Sequence, residues 1–167
     1  MSSLKPITAA GIPGALAKVE RYRLLNDAAA AESICLDVLE IDPENQAALD
    51  SLVLAISDQL DTEGTDGVFR ARKLLPRVTN EYRRLYLSGI ICERRAKAHV
   101  QRGGFGSGEA AGDWIREAMD WYEKAEKVRP ADNDEPILRW NTCVRMLARH
   151  EPAGRFEPGE YEPTIGE

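Results

Sequence analysis

The chain of 167 residues has few of the side chains on which most enzymes and secreted scaffolds depend. It contains 3 cysteines, 2 histidines and no Cys-X-X-Cys pair. An odd number of widely spaced cysteines is a poor disulfide framework, and metal sites need ligands at characteristic short spacings. We therefore expect no disulfide, metal ion or cofactor. Cys35, Cys92 and Cys143 fall on apolar helical positions, where they are expected to be small buried hydrophobic residues.

Long apolar runs are also missing. The most apolar uncharged stretch covers residues 51–57, whereas a membrane-spanning helix needs about 20 such residues. Residues 1–17 hold scattered prolines and glycines in place of the continuous apolar block of a secretory signal. We expect a cytoplasmic protein that has no contact with a membrane.

Recognisable catalytic motifs are absent as well. Neither His99 nor His150 is near a serine or cysteine in a nucleophile motif. The glycine-rich segment 103–108 is preceded by no strand and lacks the Gly-Lys-Ser/Thr of a phosphate loop, and Glu109 adds negative charge there. These features favour a non-catalytic protein. An enzyme would need a histidine and a carboxylate that meet only in the folded chain.

Charge is strongly segregated along the chain, although the net charge is only −6. Residues 1–68 carry 4 basic and 12 acidic side chains, whereas residues 69–102 carry 10 basic and 2 acidic ones. Such asymmetry bears on partners more than on fold. The basic part is therefore a candidate contact surface. Alternatively, arginines such as Arg83 and Arg94 are a solvated face or pair with the acidic residues of about positions 12–45.

Apolar residues recur at helical spacing from Ile12 onward, and no segment shows the two-residue alternation of a half-buried strand. The spacing predicts an all-α protein. Residues 61–67 are predicted to form a turn, Pro76 to kink or end a short helix, and a glycine-rich loop to cover about residues 102–110. The predicted helices cover about residues 13–25, 27–41, 44–60, 68–78, 80–101, 111–128 and 133–150.

Two of the predicted helices end at a proline and share an internal spacing of small and apolar residues. The two sets are Ala31, Cys35, Leu39 and Pro43, and Ala118, Tyr122, Ala125 and Pro130. The second set resembles the second-helix half of a tetratricopeptide repeat, in which small residues allow helices to approach closely and an aromatic ring fills the space between repeats. The first set is similar to a degenerate copy.

This resemblance implies a right-handed superhelix of antiparallel helical hairpins with about seven helices. The implied organisation is an N-terminal extension (1–11), a repeat domain (12–150) and an acidic tail (151–167) that is disordered or loosely docked. Within the domain the implied units are repeats at about 12–45, 46–79 and 80–132, with the glycine-rich insertion in the third, and a capping helix at 133–150.

In such a superhelix the first helices of successive repeats line a concave groove. The predicted groove-facing residues are Arg83, Tyr86, Ile90 and Arg94 of the fifth helix, with Ile137, Asn141 and Arg145 of the last helix. Guanidinium groups suit carboxylate ligands because they donate two parallel hydrogen bonds. The family's complete carboxylate clamp is absent, since Leu16 and Glu20 stand at positions that would complete it.

The sequence thus predicts an adaptor, scaffold or chaperone-like module that binds a peptide or protein segment bearing acidic or C-terminal carboxylate groups. The alternative is a helical protein that binds nucleic acid through residues 70–102. Its acidic flanks oppose this second interpretation, because they repel phosphates over a Debye length of about 8 Å.

Overall fold

The computed structural model describes residues 3–150, with side chains up to Arg149. This part of the chain is entirely helical and contains no β-strand, which confirms the all-α prediction. The acidic segment 151–167, predicted to be disordered or loosely docked, lies outside the described residues. The helices are α1 (Ile12–Leu24), α2 (Ala28–Ile41), α3 (Gln46–Ser57), α4 (Leu60–Leu74), α5 (Glu81–Arg102), α6 (Ser107–Lys127) and α7 (Glu135–His150).

Three helices begin at side chains that cap their first turn. Asp27 accepts a hydrogen bond from the Ala30 amide at 3.1 Å and caps the first turn of α2. Asn45 and Asn80 cap α3 and α5 in the same way. Each cap satisfies one of the four amides at a helix start that lack a partner within the helix.

Each helix packs against the next one along the chain, as the short connections between them require. In addition, α3 packs against both α1 and α5. The first helices of the three hairpins α1–α2, α3–α4 and α5–α6 are therefore neighbours in one layer. Helix α7 packs mainly against α6.

The core has two parts that meet at α5. One cluster of buried side chains joins helices α1 to α5 and includes Leu49 and Leu87. A second joins α5 to α6 and α7, and it includes Ile90, Tyr122 and Cys143. Because α5 contributes to both clusters, 12 of its 22 residues are buried, and they pack on two sides of the helix.

The turn predicted at residues 61–67 is present only at Gly64. Helix α4 is interrupted there, because φ of 60° and ψ of −131° are not helical and suit glycine, whereas the residues on either side of Gly64 are helical. The interruption leaves backbone carbonyls of the first turn without their usual partners. Arg95 donates to the Leu60 carbonyl at 3.5 Å, and Arg102 donates to the Asp61 carbonyl at 2.6 Å. Side chains of α5 thus provide donors for the carbonyls next to the interruption.

The glycine-rich loop is shorter than predicted. It covers only residues 103–106, because α5 continues to Arg102 and α6 begins at Ser107. These helices have 22 and 21 residues, against 12–16 in the others. Most residues of the predicted insertion therefore lie in additional turns of α5 and α6. The remaining residues form a short loop in which Phe105 is fully exposed.

Candidate functional site

Arg83, the first predicted groove residue, makes a two-point ion pair. Its Nε donates to Asp50 Oδ1 at 2.7 Å, and its Nη2 donates to Asp50 Oδ2 at 2.9 Å. Its Nη1 is 3.7 Å from Glu135 Oε2 on α7. Burial alone would lower the pKa of this guanidinium, but the bonds to Asp50 raise it above the ordinary value. Arg83 therefore joins three helices, and a ligand carboxylate would have to compete with Asp50.

Arg94 lies about three turns further along α5 and is exposed to a similar extent as Arg83. Its Nη2 is 3.4 Å from Asp58 Oδ1, and Arg23 of α1 donates to the other oxygen of the same carboxylate at 2.8 Å. The Nε of Arg94 is buried and has no hydrogen-bond partner among the described residues. Two guanidinium groups therefore share one carboxylate where α1, α3 and α5 meet.

A pocket of about 550 Å³ opens beside these three side chains. Two further carboxylates, those of Glu20 and Asp61, are exposed at its edge, and within residues 3–149 neither makes an ion pair. The pocket thus offers both guanidinium donors and free carboxylate acceptors. It is lined by Glu20, Arg23, Leu24, Asn26, Ala28, Asp58, Asp61 and Arg94.

Tyr86 and Ile90, the two other predicted groove residues of α5, are buried, with 5% and 2% of their surface exposed. The Tyr86 ring lies between those of Tyr82 and Tyr122, at 5.9 Å from each between ring centres. Its outer side is covered by the guanidinium of Arg83 at 4.9 Å. The structure therefore places both residues in the core beneath the face that the arginines occupy.

Besides Glu135, α7 directs Arg139 toward α5, and the sequence reasoning missed Arg139. Its Nη1 is 3.3 Å from Glu93 Oε1, and its Nε is 3.5 Å from the Tyr86 hydroxyl. Successive residues of a helix are turned by about 100°, so Asn141 and Arg145 point about 160° and 120° away from Arg139. The structure thus separates these two predicted residues from the α5 row.

The spacing of the apolar residues on α7 could have indicated that Arg139 lies near the inner face of this helix. Pro136 and Cys143 are buried and Leu147 is half-buried, at spacings that mark the inner face of the helix. Arg139 lies close to this face, whereas the alignment to repeat positions selected residues 137, 141 and 145. The error arose because the alignment gave α7 the register expected for a repeat helix, and the packing of α7 does not follow that register.

Glu93 is a second residue that sequence reasoning did not select. Its side chain has no exposed surface, and its carboxylate accepts from Lys97 Nζ at 2.5 Å and from the Tyr122 hydroxyl at 2.7 Å. Burial by itself would raise the pKa of Glu93, but Lys97, Tyr122 and Arg139 hold it below the ordinary value. A charged carboxylate therefore links α5, α6 and α7 from inside.

The segregated charges meet in the folded chain. Arginines of the basic part lie against acidic residues of the N-terminal part, so that much of the positive charge is neutralised internally. Pairing with about residues 12–45, which the sequence had left open, is found for Arg70 and Arg77, whereas Arg83 and Arg94 pair with carboxylates further along the chain. The ion pairs between the two parts are Arg70 with Glu32 and Glu63, Arg77 with Glu44, Arg83 with Asp50, and Arg94 with Asp58.

The three cysteines are buried and free, as predicted. Burial raises the pKa of each thiol to about 12, so that almost none is ionised at neutral pH. The pKa of His99 is lowered by burial and by Arg95 and Arg102. No group of three His, Cys, Asp or Glu side chains in the described part is arranged to hold a metal ion.

Comparison with family models, with curated proteins and with solved structures gave no match. The similarity to tetratricopeptide repeats stays an interpretation of the sequence pattern. Within residues 3–150 none of the helices has the length and apolar character needed to cross a bilayer.

Proposed function

We propose that this protein is a non-catalytic interaction module, an adaptor, scaffold or chaperone-like protein that binds a peptide or protein segment. In this proposal the hairpins form a right-handed tetratricopeptide-like superhelix whose concave face is the layer of α1, α3 and α5. The observation that carries the proposal is the pocket at Arg23, Asp58 and Arg94, because all three first helices contribute to it.

The chemistry of the pocket suits an extended peptide. Asp58 can neutralise only one of its two guanidinium neighbours, so a peptide carbonyl or carboxylate oxygen would gain donors from Arg23 or Arg94. A basic group of the same peptide would meet Glu20 or Asp61. Since charge-assisted hydrogen bonds depend on geometry, this mixture favours a peptide that carries an acidic and a basic group at a fixed separation.

The experiment selects binding peptides from a random library displayed on phage, with the full chain as target, and measures affinity by fluorescence anisotropy. Arg94→Gln should weaken the selected peptides about 10-fold or more, because a hydrogen bond to a charged group contributes about 1.5–3 kcal/mol. In this variant Asp58 still pairs with Arg23, so we expect the fold to be unchanged. Circular dichroism of the variant checks this expectation.

Arg145→Gln is the matched control, since Arg145 is an exposed arginine on the side of α7 turned away from α5. It should change the affinity less than 2-fold, a difference of under about 0.4 kcal/mol. Equal effects of the two variants, or failure to select any peptide, would refute the groove hypothesis.

Nucleic-acid binding through residues 70–102 has less physical support. The pairs that hold Arg70, Arg77, Arg83 and Arg94 against carboxylates would have to break before these side chains could contact phosphates. Retention of the full chain on immobilised RNA or DNA that falls steeply with salt would nevertheless favour this alternative over peptide binding.

A further inference from the structure

Three basic side chains near the end of α5 lie on one side of the helix. Arg95, His99 and Arg102 follow one another at spacings of four and three residues, so they lie within about 60° of one another around the helix axis. Arg95 is buried, with 7% of its surface exposed, whereas His99 is half-buried and Arg102 is exposed. This basic row therefore runs from the interior of the protein to its surface.

The two guanidinium groups of the basic row approach each other at Gly64, where α4 is interrupted. A Cβ atom placed on Gly64 would lie 3.6 Å from Nη1 of Arg95 and 3.8 Å from Nη2 of Arg102. Because glycine has no side chain, this position is left open. A small ligand bound beside it can reach both arginines.

Neither arginine of the basic row has a carboxylate partner among residues 3–149. The side chain of Arg95 makes a single hydrogen bond, to the Leu60 carbonyl at 3.5 Å. Arg102 donates to the Asp61 carbonyl through Nε at 3.1 Å and through Nη2 at 2.6 Å. A guanidinium group carries five N–H donors, so most donors of Arg95 and the Nη1 group of Arg102 have no partner in this part of the chain.

The acidic residues of α4 do not neutralise the basic row. Glu63 pairs with Arg70. Neither Asp61 nor Asp66 forms an ion pair within the described part of the chain. Burial lowers the pKa of His99, and the two positive charges of the neighbouring arginines lower it further. The row therefore has a positive potential that a bound anion would relieve.

We propose that Arg95, His99 and Arg102 bind a phosphate group, either inorganic phosphate or the terminal group of a small phosphomonoester. Two guanidinium groups without carboxylate partners carry two positive charges, which match those of a phosphate dianion, whereas one carboxylate would neutralise only one of them. The phosphate oxygens accept from Arg95 at the buried end of the row and from Arg102 at its exposed end, and the imidazole of His99 lies between them. This site differs from the pocket of the proposed peptide groove, which Arg94 lines, because Arg94 is turned by about 100° from Arg95.

Titration of the full chain with inorganic phosphate, followed by NMR, tests this site. The ring signals of His99 and the Nε–H signals of Arg95 and Arg102 should shift and saturate, with a Kd of about 1 mM or below. Sodium chloride added to the same ionic strength should leave these signals unchanged. Absence of a saturable shift with phosphate would overturn the proposal.

Two arginine variants separate phosphate binding from a purely structural role of the row. Arg102→Gln should weaken phosphate binding about 10-fold or more, because it removes a charged donor. Arg145→Gln removes the same charge from an exposed position on α7 and should change the affinity less than about 2-fold. Phosphate should raise the Tm of the parent chain and of Arg145→Gln, but not that of Arg102→Gln. A Tm of Arg102→Gln that rises with phosphate as much as that of the parent would overturn the proposal, whatever its value without phosphate.

Other anions test the choice of ligand. Acetate and dimethyl phosphate each carry one negative charge, so each should bind about 10-fold or more weakly than phosphate. Acetate that binds as tightly would show that the row takes carboxylates, such as the glutamates of residues 151–167, and would overturn the proposal. Dimethyl phosphate that binds as tightly would also overturn it, in favour of a nucleic-acid backbone. Methyl phosphate distinguishes the two sources of the group: an affinity equal to that of phosphate supports a phosphomonoester, and a lower one supports the free ion.

Discussion

Gly89 of α5 lies against the ring of Tyr122 of α6, and its replacement by alanine tests that contact directly. An added Cβ would lie 2.5 Å from Cε1 and 2.7 Å from Cδ1 of Tyr122. The Tyr122 ring has no exposed surface, and its hydroxyl donates to Glu93 at 2.7 Å. Neither the ring nor the backbone of α5 can move without disturbing this network.

Two effects of opposite sign determine the result of Gly89→Ala. Alanine in a helix is favoured over glycine by about 1 kcal/mol, and overpacking a buried site costs about 1–3 kcal/mol. Because the overlap involves a ring fixed at both ends, the cost should be near the upper value. We expect the free energy of unfolding to fall by about 2 kcal/mol, which lowers the Tm by about 4–8 °C.

Urea unfolding and thermal melting of the full chain measure this change. Gly14→Ala in α1 is the matched control, because its Cβ would meet no atom within 4 Å, so it should raise stability by a few tenths to about 1 kcal/mol. In a Tyr122→Leu background, Gly89→Ala should become neutral or stabilising. A Gly89→Ala variant that is as stable as Gly14→Ala would refute the close approach of the two helices.

Two further predictions concern Glu93 and Gly64. Glu93→Gln should lower the free energy of unfolding at pH 7 by about 2–4 kcal/mol, because it leaves Lys97 and Arg139 without their carboxylate. The pKa of Glu93 is lower in the folded chain than in the unfolded chain, so the folded state binds fewer protons. The stabilisation by the ionised Glu93 carboxylate is therefore complete above about pH 4.5 and is lost as the pH falls through the lowered pKa. Urea titrations at pH 7 and pH 3.5 should therefore show a smaller difference between parent and variant in acid, and an equal difference would contradict an ionised carboxylate. Gly64→Ala should cost about 1–3 kcal/mol by thermal melting, since φ of 60° with ψ of −131° is a conformation that alanine rarely adopts; a neutral effect would show that the bend in α4 can be straightened.

The local elements of this fold could be read from the chain because they depend on neighbours within a few residues. Asp27 caps α2 through the amide three residues later, and Asp42 and Pro43 end that helix. The burial of the cysteines followed from the same helical periodicity. These features require no knowledge of which helices meet.

Features that join distant parts of the chain were not accessible in this way. Asp50 and Arg83 are 33 residues apart, and only the packing of α3 against α5 brings their charges to 2.7 Å. Arginines of α5 likewise donate to carbonyls next to the interruption at Gly64, and these contacts span more than 30 residues of sequence. Local propensity favoured a turn over all of residues 61–67, whereas only Gly64 has a non-helical backbone.

The sequence by itself determined that the protein is helical, where most helices begin and end, and that its charge is divided between an acidic and a basic part. The tertiary structure decided which acidic and basic side chains form ion pairs, because Coulomb attraction is strong only over a few ångströms. It also decided that Arg139 and not Arg145 faces α5. The rotation of the last helix is set by the side chains that it buries against α6, and no local rule specifies it.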